Sequence, residues 1–129
     1  MDRVSVNQYD QLNYFIRMKR KIAVPLENNL LCQHFGHCQQ FAIIDTENGS
    51  ITNEAYITPP PHEPGLLPAW LAEHGVTDVI AGGMGQRAIS LFHNQHINVF
   101  VGVARKHPRE LAADLINNTL TAGANYCDH

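Results

Sequence analysis

No apolar run in this sequence approaches the ~18 residues that a membrane-spanning helix needs. The earliest apolar cluster, "LNYFI" at 12–16, falls short of the roughly 7 residues of a signal-peptide core and has no small-residue cleavage site behind it. Neither a membrane nor a secretory route is expected, and the chain reads as cytoplasmic. Cysteine is scarce and odd in number, three in 129 residues. That argues against a disulfide framework and leaves thiols or metal ligands as the uses in a reducing compartment. Basic charge is scarce beyond the start of the chain. Arg3, Arg17, Lys19, Arg20 and Lys21 leave only Arg87, Arg105, Lys106 and Arg109 for the remainder of a chain of net charge −3. Neutralising phosphates requires a basic face, so nucleic acid is not an expected partner.

What is present belongs to a globular protein: 44% hydrophobic and 16% charged residues. A chain of this length buries one core without a disulfide or a structural metal. Stability therefore gives no reason for the stretch "CQHFGHC", 32–38, which crowds Cys32, His34, His37 and Cys38 together.

Residues 1–17 carry no clear periodicity and precede Met18 and "KRKIAVPL", so they read as an upstream extension or added leader and the domain as 18–129. "KIAVPL" (21–26) predicts a short buried strand ended by Pro25. The Cys/His stretch follows within a loop over 27–38. "QFAIIDT" (40–46) and "SITNEAYIT" (50–58) predict a hairpin joined by the Asn-Gly turn of "ENG". "PPPHEPG" (59–65) suits neither a sheet nor a helix interior and predicts an extended, polyproline-like loop. The rhythm then changes to a helix over 66–75, with Pro68 in its first turn and Gly75 as its stop. A strand over 78–82, a helix over 86–96, a strand over 98–103 and a helix over 107–120 follow. Such alternation needs parallel strands with crossover helices, so the expected fold is α/β, a mixed sheet that begins with a hairpin unit and continues αβαβα.

Thiolate and imidazole are the donors that zinc and iron–sulfur centres prefer, and His34, His37 and Cys38 can converge from one loop. Cys32 reads more simply as a small buried side chain, Phe35 as a core anchor and Gly36 as a turn. The chain ends "NYCDH", where Cys127 and His129 have no packing purpose unless the tail folds back. His62 and Glu63 are presented on the stiff proline loop, while His74, His93, His96 and His107 read as structural. In "AGGMGQRA" (81–88), Gly83, Met84 and Gly85 bring backbone N–H groups to a helix start, with Arg87 in the first turn, an arrangement that suits an anion. It matches neither a Walker loop nor a dinucleotide fingerprint. Loops after parallel strands share one edge of an open sheet, so 27–38, 82–87 and 103–107 are expected to surround one crevice. A soft-ligand loop facing an anion-binding helix start describes a seat for an anionic metal cluster.

"KIAVPL", "HFGHCQQFAIID", "PPPHEPGLLPAWLAEHGVTDVIAGGMGQRAISLF", "NVFVGV" and the terminal "CDH" closely resemble the dinitrogenase iron-molybdenum cofactor biosynthesis family, of the NifX-like and NifB C-terminal type. The resemblance implies a ribonuclease H-like three-layer fold whose mixed five-stranded sheet has the order 3-2-1-4-5. It also implies non-catalytic binding and carriage of iron–sulfur or iron–molybdenum type clusters, with metallocofactor assembly or acceptor proteins as partners. His34 matches the histidine of the family's "HFG". His37 and Cys38 match the "HC" of the branch that ends in "CDH", to which Cys127 and His129 also belong, whereas Cys32 lies outside the shared motif. The candidate metal ligands are thus His34, His37, Cys38, Cys127 and His129, with Gly83, Gly85 and Arg87 as the anion cradle. Two alternatives stand beside this reading. One is a small interaction domain stabilised by zinc. The other is a ribonuclease H-like hydrolase, which needs clustered carboxylates where the predicted strands offer Asp45 and Asp78.

Overall fold

The structure, a computed structural model, describes residues 19–61 and 63–123. Strand β1, Lys19–Glu27, alternates Ile22, Val24 and Leu26 toward one face and Ala23 toward the other, and all four are buried. A strand covered on both faces must be apolar on both, which is why "IAVPL" carries no polar residue. The expected stop at Pro25 does not occur. The Pro25 carbonyl accepts the Cys32 N–H at 2.8 Å, so the ring nitrogen faces the same side. There β5 pairs only Ile22 and Ala23, and β2 only Leu26 and Glu27. Proline lacks its N–H where no strand needs it.

Asn28 and Asn29 follow with φ of 55° and 67°, the left-handed pair of a two-residue hairpin turn. They fold the chain back as β2, Leu30–Leu31, antiparallel to the end of β1. The sheet therefore has six strands where five were expected, because part of 27–38 is strand rather than loop. Strands β3, Gln40–Glu47, and β4, Ser50–Ile57, form the expected antiparallel hairpin around Asn48 and Gly49, with an irregularity between Asp45 and Thr46. Helix α1, Leu66–Glu73, strand β5, Asp78–Ile80, helix α2, Gln86–Asn94, strand β6, Asn98–Phe100, and helix α3, Pro108–Ile116, complete the chain. The last helix ends before the expected 120 because Asn118 turns left-handed, with φ of 60°, and the Asp114 carbonyl accepts the N–H groups of Thr119 and Leu120 instead.

The strands lie in the order β4-β3-β1-β5-β6, with β2 paired to β1 beside this path. β1, β5 and β6 are parallel, and β3 and β4 antiparallel to their neighbours. Helices α1 and α2 cover one face through Leu67, Leu71 and Phe92 against Ala23, Phe41, Ile43 and Val79. Helix α3 covers the other through Leu111, Ala112 and Leu115 against Ile22, Val24, Ile44 and Ile80. Burying a side chain of this size stabilises by roughly 1.5–3 kcal/mol, so both layers are needed. At the amino edge of the parallel strands, buried Asp78 accepts from Arg20 at 3.1 Å, Thr77 at 2.7 Å and Asn98 at 3.0 Å. The carboxyl edge is left to the loops. Among the described residues no helix is long and apolar enough to cross a membrane.

Candidate functional site

At the carboxyl edge three loops are stitched together by their backbones. His34 and Gly83 form an isolated parallel bridge. The Gly83 N–H donates to the Gln33 carbonyl at 2.7 Å, and the Phe35 N–H to the Gly83 carbonyl at 3.0 Å. The Gly102 N–H donates to the Gly82 carbonyl at 2.6 Å, extending the ladder to the loop after β6. Only glycine fits at 82, since a Cβ there would lie 2.9 Å from the Gln33 oxygen. Phe35 supplies the apolar anchor, edge-on to Phe92 at 5.4 Å and to Phe41 at 5.9 Å. A single turn of 3-10 helix, Phe35–His37, then leaves His34 and His37 exposed on either side of that anchor, their ring centroids 5.8 Å apart.

A cavity of about 450 Å³ opens between this turn, the 63–68 segment and the start of α2. Its walls are mostly apolar, from Phe35, Leu67, Pro68, Met84 and Leu91, and His34, His37 and Arg87 add polarity. Glu63 sits exposed at the rim. Two helices begin on this cavity, α1 after a left-handed Gly65 with φ of 82°, and α2 after Gly85. Neither has an acidic residue in its first turn or a side-chain cap. Their first N–H groups therefore lack intrahelical partners and both ends present positive potential. Arg87 is exposed and has no ion pair or hydrogen bond among the described residues. A concave, apolar, positively biased pocket carrying two imidazoles suits an anion with a soft, poorly hydrated surface.

The other expected residues lie as follows. Cys38 is half-buried against the core beneath α1 and α2, and lines a separate hollow of about 210 Å³ with Gln39, Thr58, Pro59 and Pro60. Burial, with Cys32 nearby, pushes its thiol up to about 12. Cys32 is buried, as a small core side chain would be, and its Sγ donates to the His34 carbonyl at 3.0 Å. Burial raises its thiol too. Gly83 lines the cavity with its N–H committed to Gln33, and Gly85 caps α2. The 103–107 loop does not join the same crevice: Val103, Ala104 and Arg105 line another hollow with Cys32 and Gly82, and Arg105 donates to the Glu27 carbonyl at 3.0 Å. Its place at the cavity is taken by 63–68, whose signal in the sequence was the pairing of Gly65 with a first-turn Pro68. Among the described residues no three His, Cys, Asp or Glu side chains are grouped to hold a metal ion. Cys127, His129 and His62 lie outside the described residues, and so does the approach of Cys127 to Cys38 that a shared site would need.

These features define a small three-layer α/β protein with a preformed cavity where its parallel strands end. The chain belongs to the dinitrogenase iron-molybdenum cofactor family, whose profile matches residues 18–118. It is 39% identical over 85 residues to the uncharacterized protein MJ0580 of Methanocaldococcus jannaschii, covering 62% of this chain and 72% of that one. Among solved structures, PH0822 superposes with a TM-score of 0.74 at 28% identity, over 79% of this chain and 93% of that one. The apo form of the orange protein from Desulfovibrio gigas superposes with a TM-score of 0.66 at 18% identity, over 82% and 94% of the two chains, a likeness of fold.

Proposed function

We propose that the protein is a carrier that holds an anionic metal–sulfur cluster, of iron–sulfur or iron–molybdenum type, and passes it between assembly and acceptor proteins without catalysing a reaction on it. One observation carries this reading: two helix starts without side-chain caps and Arg87, unpaired among the described residues, converge on the soft, apolar cavity that His34 and His37 flank. A bare divalent cation would be repelled by both helix ends and by Arg87, whereas a sulfide-rich anion is attracted by the same groups and loses little hydration on meeting apolar walls. The family supports a role in iron-molybdenum cofactor processes. The cluster is cargo here, met by the imidazoles of His34 and His37 and by donors the C-terminal tail brings. The Gly123 N–H donates to the Val101 carbonyl at 3.2 Å, beside Gly102, so the tail leaves from the same edge of the sheet. Cys127 and His129 follow Gly123 by four and six residues, a maximum reach of about 14 Å and 20 Å of chain. Cys38 would contribute only after turning out of its own hollow. In this reading residues 18–129 are the binding domain, of ribonuclease H-like type, and the protein works in the cytoplasm.

Two features weigh against the hydrolase alternative. Asp78 is enclosed by Arg20, Thr77 and Asn98, and Asp45 pairs with Lys21 at 3.8 Å. Both lie at the edge of the sheet away from the cavity. The zinc alternative is separated by experiment. Under anaerobic conditions the protein is incubated with tetrathiomolybdate, with a synthetic iron–sulfur cluster and with zinc, and loading is followed by metal analysis and visible absorption. The carrier reading expects the coloured anions to load and the Arg87→Glu variant to hold them more weakly while folding normally. Loading of zinc alone, equal in both proteins, would replace it with the zinc-stabilised domain.

A further inference from the structure

Among the described residues one edge of the sheet is covered and the other is open. On the β6 side the strand is only three residues long, and the chain returns beside its end, where the Val101 carbonyl accepts the Gly123 N–H at 3.2 Å. On the β4 side the strand is eight residues long, and no strand pairs with its outer side. Which groups face outward there follows from the ladder. The Thr77 N–H donates to the Lys21 carbonyl and the Cys32 N–H to the Pro25 carbonyl. Lys21, Ala23 and Pro25 thus turn their backbone groups away from β3, and Ile22 and Val24 turn theirs toward it. Ile22 pairs with Ile44 and Val24 with Ala42, which leaves Phe41 and Ile43 bonded toward β4, opposite Ile57 and Ala55. By the same alternation Glu54 and Tyr56 aim their N–H and C=O groups outward.

An edge of this length accepts another strand unless charge, proline or a bulge guards it. "SITNEAYI" has no Lys, Arg or Pro, and its irregularity lies opposite Asp45 and Thr46, so Asn53–Ile57 is regular. Its one charge, Glu54, is turned onto its own molecule, where Arg109 donates to it at 2.8 Å and the Tyr56 hydroxyl at 2.5 Å. Tyr56 is also the exposed large hydrophobic side chain among the described residues, at 50%. We propose that β4 is the contact between two copies of this chain, which pair antiparallel about a two-fold axis at Ala55 and so continue the two sheets as one. The occupant is a second copy because the edge is complementary to itself. An axis at Ala55 sets Glu54 opposite the second copy's Tyr56, and Tyr56 opposite its Glu54. These are the residues with outward groups, so four ladder bonds form and each carboxylate gains a facing tyrosine. An axis at Glu54 would oppose two carboxylates, and one at Tyr56 would carry the ladder past Ile57, where β4 ends. Ala55 meets its counterpart in a non-hydrogen-bonded pair, where Cα atoms approach to about 4.5 Å and a small side chain fits. The covered β6 edge stops the association at two. No residue of β4 lines the cavity, so the pairing stands apart from the carrier reading.

The test is sedimentation equilibrium of the full chain over a range of concentrations, with circular dichroism and the unfolding midpoint verifying that each variant folds. The wild type is expected to dimerise reversibly. Tyr56→Pro removes an outward N–H from each copy, two of the four ladder bonds, at a place where an edge strand tolerates proline. It leaves the bonds to β3 untouched and is expected to raise the dissociation constant by about tenfold or more. Ala55→Lys and Ala55→Glu each set like charges opposite one another across the axis and raise it by about fivefold or more. An equimolar mixture of those two variants restores the dimer, since Lys then faces Glu. A wild type that stays monomeric at every concentration overturns the proposal. So does a dimer that Tyr56→Pro and both Ala55 variants leave intact, because the contact then lies elsewhere. Two charged variants that stay apart when mixed overturn it as well, because position 55 then does not face itself. Tetrathiomolybdate loading per chain is the same in the wild type and the dissociated variants, so failure of the dimer and failure of the carrier reading are read separately.

Discussion

Gly82→Ala is the sharpest test of how the site is built. Position 82 is buried, and a Cβ there would lie 2.9 Å from the Gln33 carbonyl oxygen, 3.2 Å from the Cys32 oxygen and 3.2 Å from the Gln33 Cα. All three are backbone atoms, so no side chain can rotate away. Relief requires the 32–35 segment to move off the 82–83 segment. That motion strains the bonds from Gly83 to Gln33 at 2.7 Å and from Phe35 to Gly83 at 3.0 Å. Overpacking of this kind costs about 1–3 kcal/mol, and each weakened hydrogen bond adds about 0.5–1.5 kcal/mol. The expected destabilisation is about 2–4 kcal/mol, or a fall in urea midpoint of about 1–2 M at a slope of roughly 2 kcal/mol/M. Trp70, the only tryptophan, packs against Phe41 at 5.9 Å and His74 at 4.8 Å, so its fluorescence reports the unfolding. Gly85→Ala is the control, for a Cβ at 85 meets nothing within 4 Å. If Gly82→Ala unfolds at the wild-type midpoint, or no earlier than Gly85→Ala, the stitched loops are looser than these distances say and the account of the site fails.

Three further outcomes are expected. Asp78→Ala leaves Arg20, Thr77 and Asn98 facing a buried gap and destabilises by about 3 kcal/mol; because it lies at the opposite edge of the sheet, tetrathiomolybdate binding measured below the unfolding range stays at the wild-type level. The Tyr56 hydroxyl, then Arg109, holds the Glu54 carboxyl below its ordinary value. That contribution is complete above about pH 4.5 and is lost as pH falls through the depressed value, so Tyr56→Phe flattens the acid decline of the thermal midpoint; an unchanged decline refutes the pairing. Gln86→Glu places an acid in the first turn of α2, which raises stability by about 0.3–1 kcal/mol while weakening anion binding, and a variant that gains on both counts contradicts the cavity's positive bias.

The elements were legible where the pattern was local. Asn48-Gly49 announced its hairpin, Gly75 the end of α1, and the αβαβα rhythm the parallel half of the sheet. β2 escaped because Asn28-Asn29 is a weaker turn signal than Asn-Gly and leads into a strand of two residues. Pro25 misled because a missing N–H matters only if a partner strand faces it, and that depends on where β5 and β2 stop. Part of the cavity lining was legible in the same sense. The structure brings His34 and His37 of "HFGH" and Arg87 of "GGMGQR" to one cavity. What sequence could not weigh is how neighbours in the chain divide between hollows. His37 and Cys38 are consecutive, yet a chain leaving a tight turn points successive side chains apart, and Cys38 goes to the neighbouring hollow. The contribution of Gly65, Leu67 and Pro68 was hidden for the opposite reason, since a proline-rich loop shows no periodicity to reveal which strand ends it will cross.

The protein contains its own comparison for the electrostatic argument. Three α-helices share similar lengths, and a first-turn acid would stabilise each of them. Helix α3 has one, Glu110, and its start lies on the far face of the sheet beside Arg105 and Lys106. Helices α1 and α2, whose starts line the cavity, have none. Both take glycine as the N-terminal flanking residue, so no flanking side chain covers the first N–H groups, of which the Leu66 N–H of α1 donates to the Glu63 carbonyl at 3.1 Å. Omitting stabilising residues at one helix could follow from packing. Omitting a first-turn acid at both helices that meet one pocket, while α3 keeps one, fits a surface where stability has been given up for function. The carboxylate that does reach the pocket, Glu63, stays at its exposed rim, where solvent screens it. The positive bias at the floor is thus a property of two backbones and one side chain, and removing Arg87 alone should weaken anion binding without abolishing it.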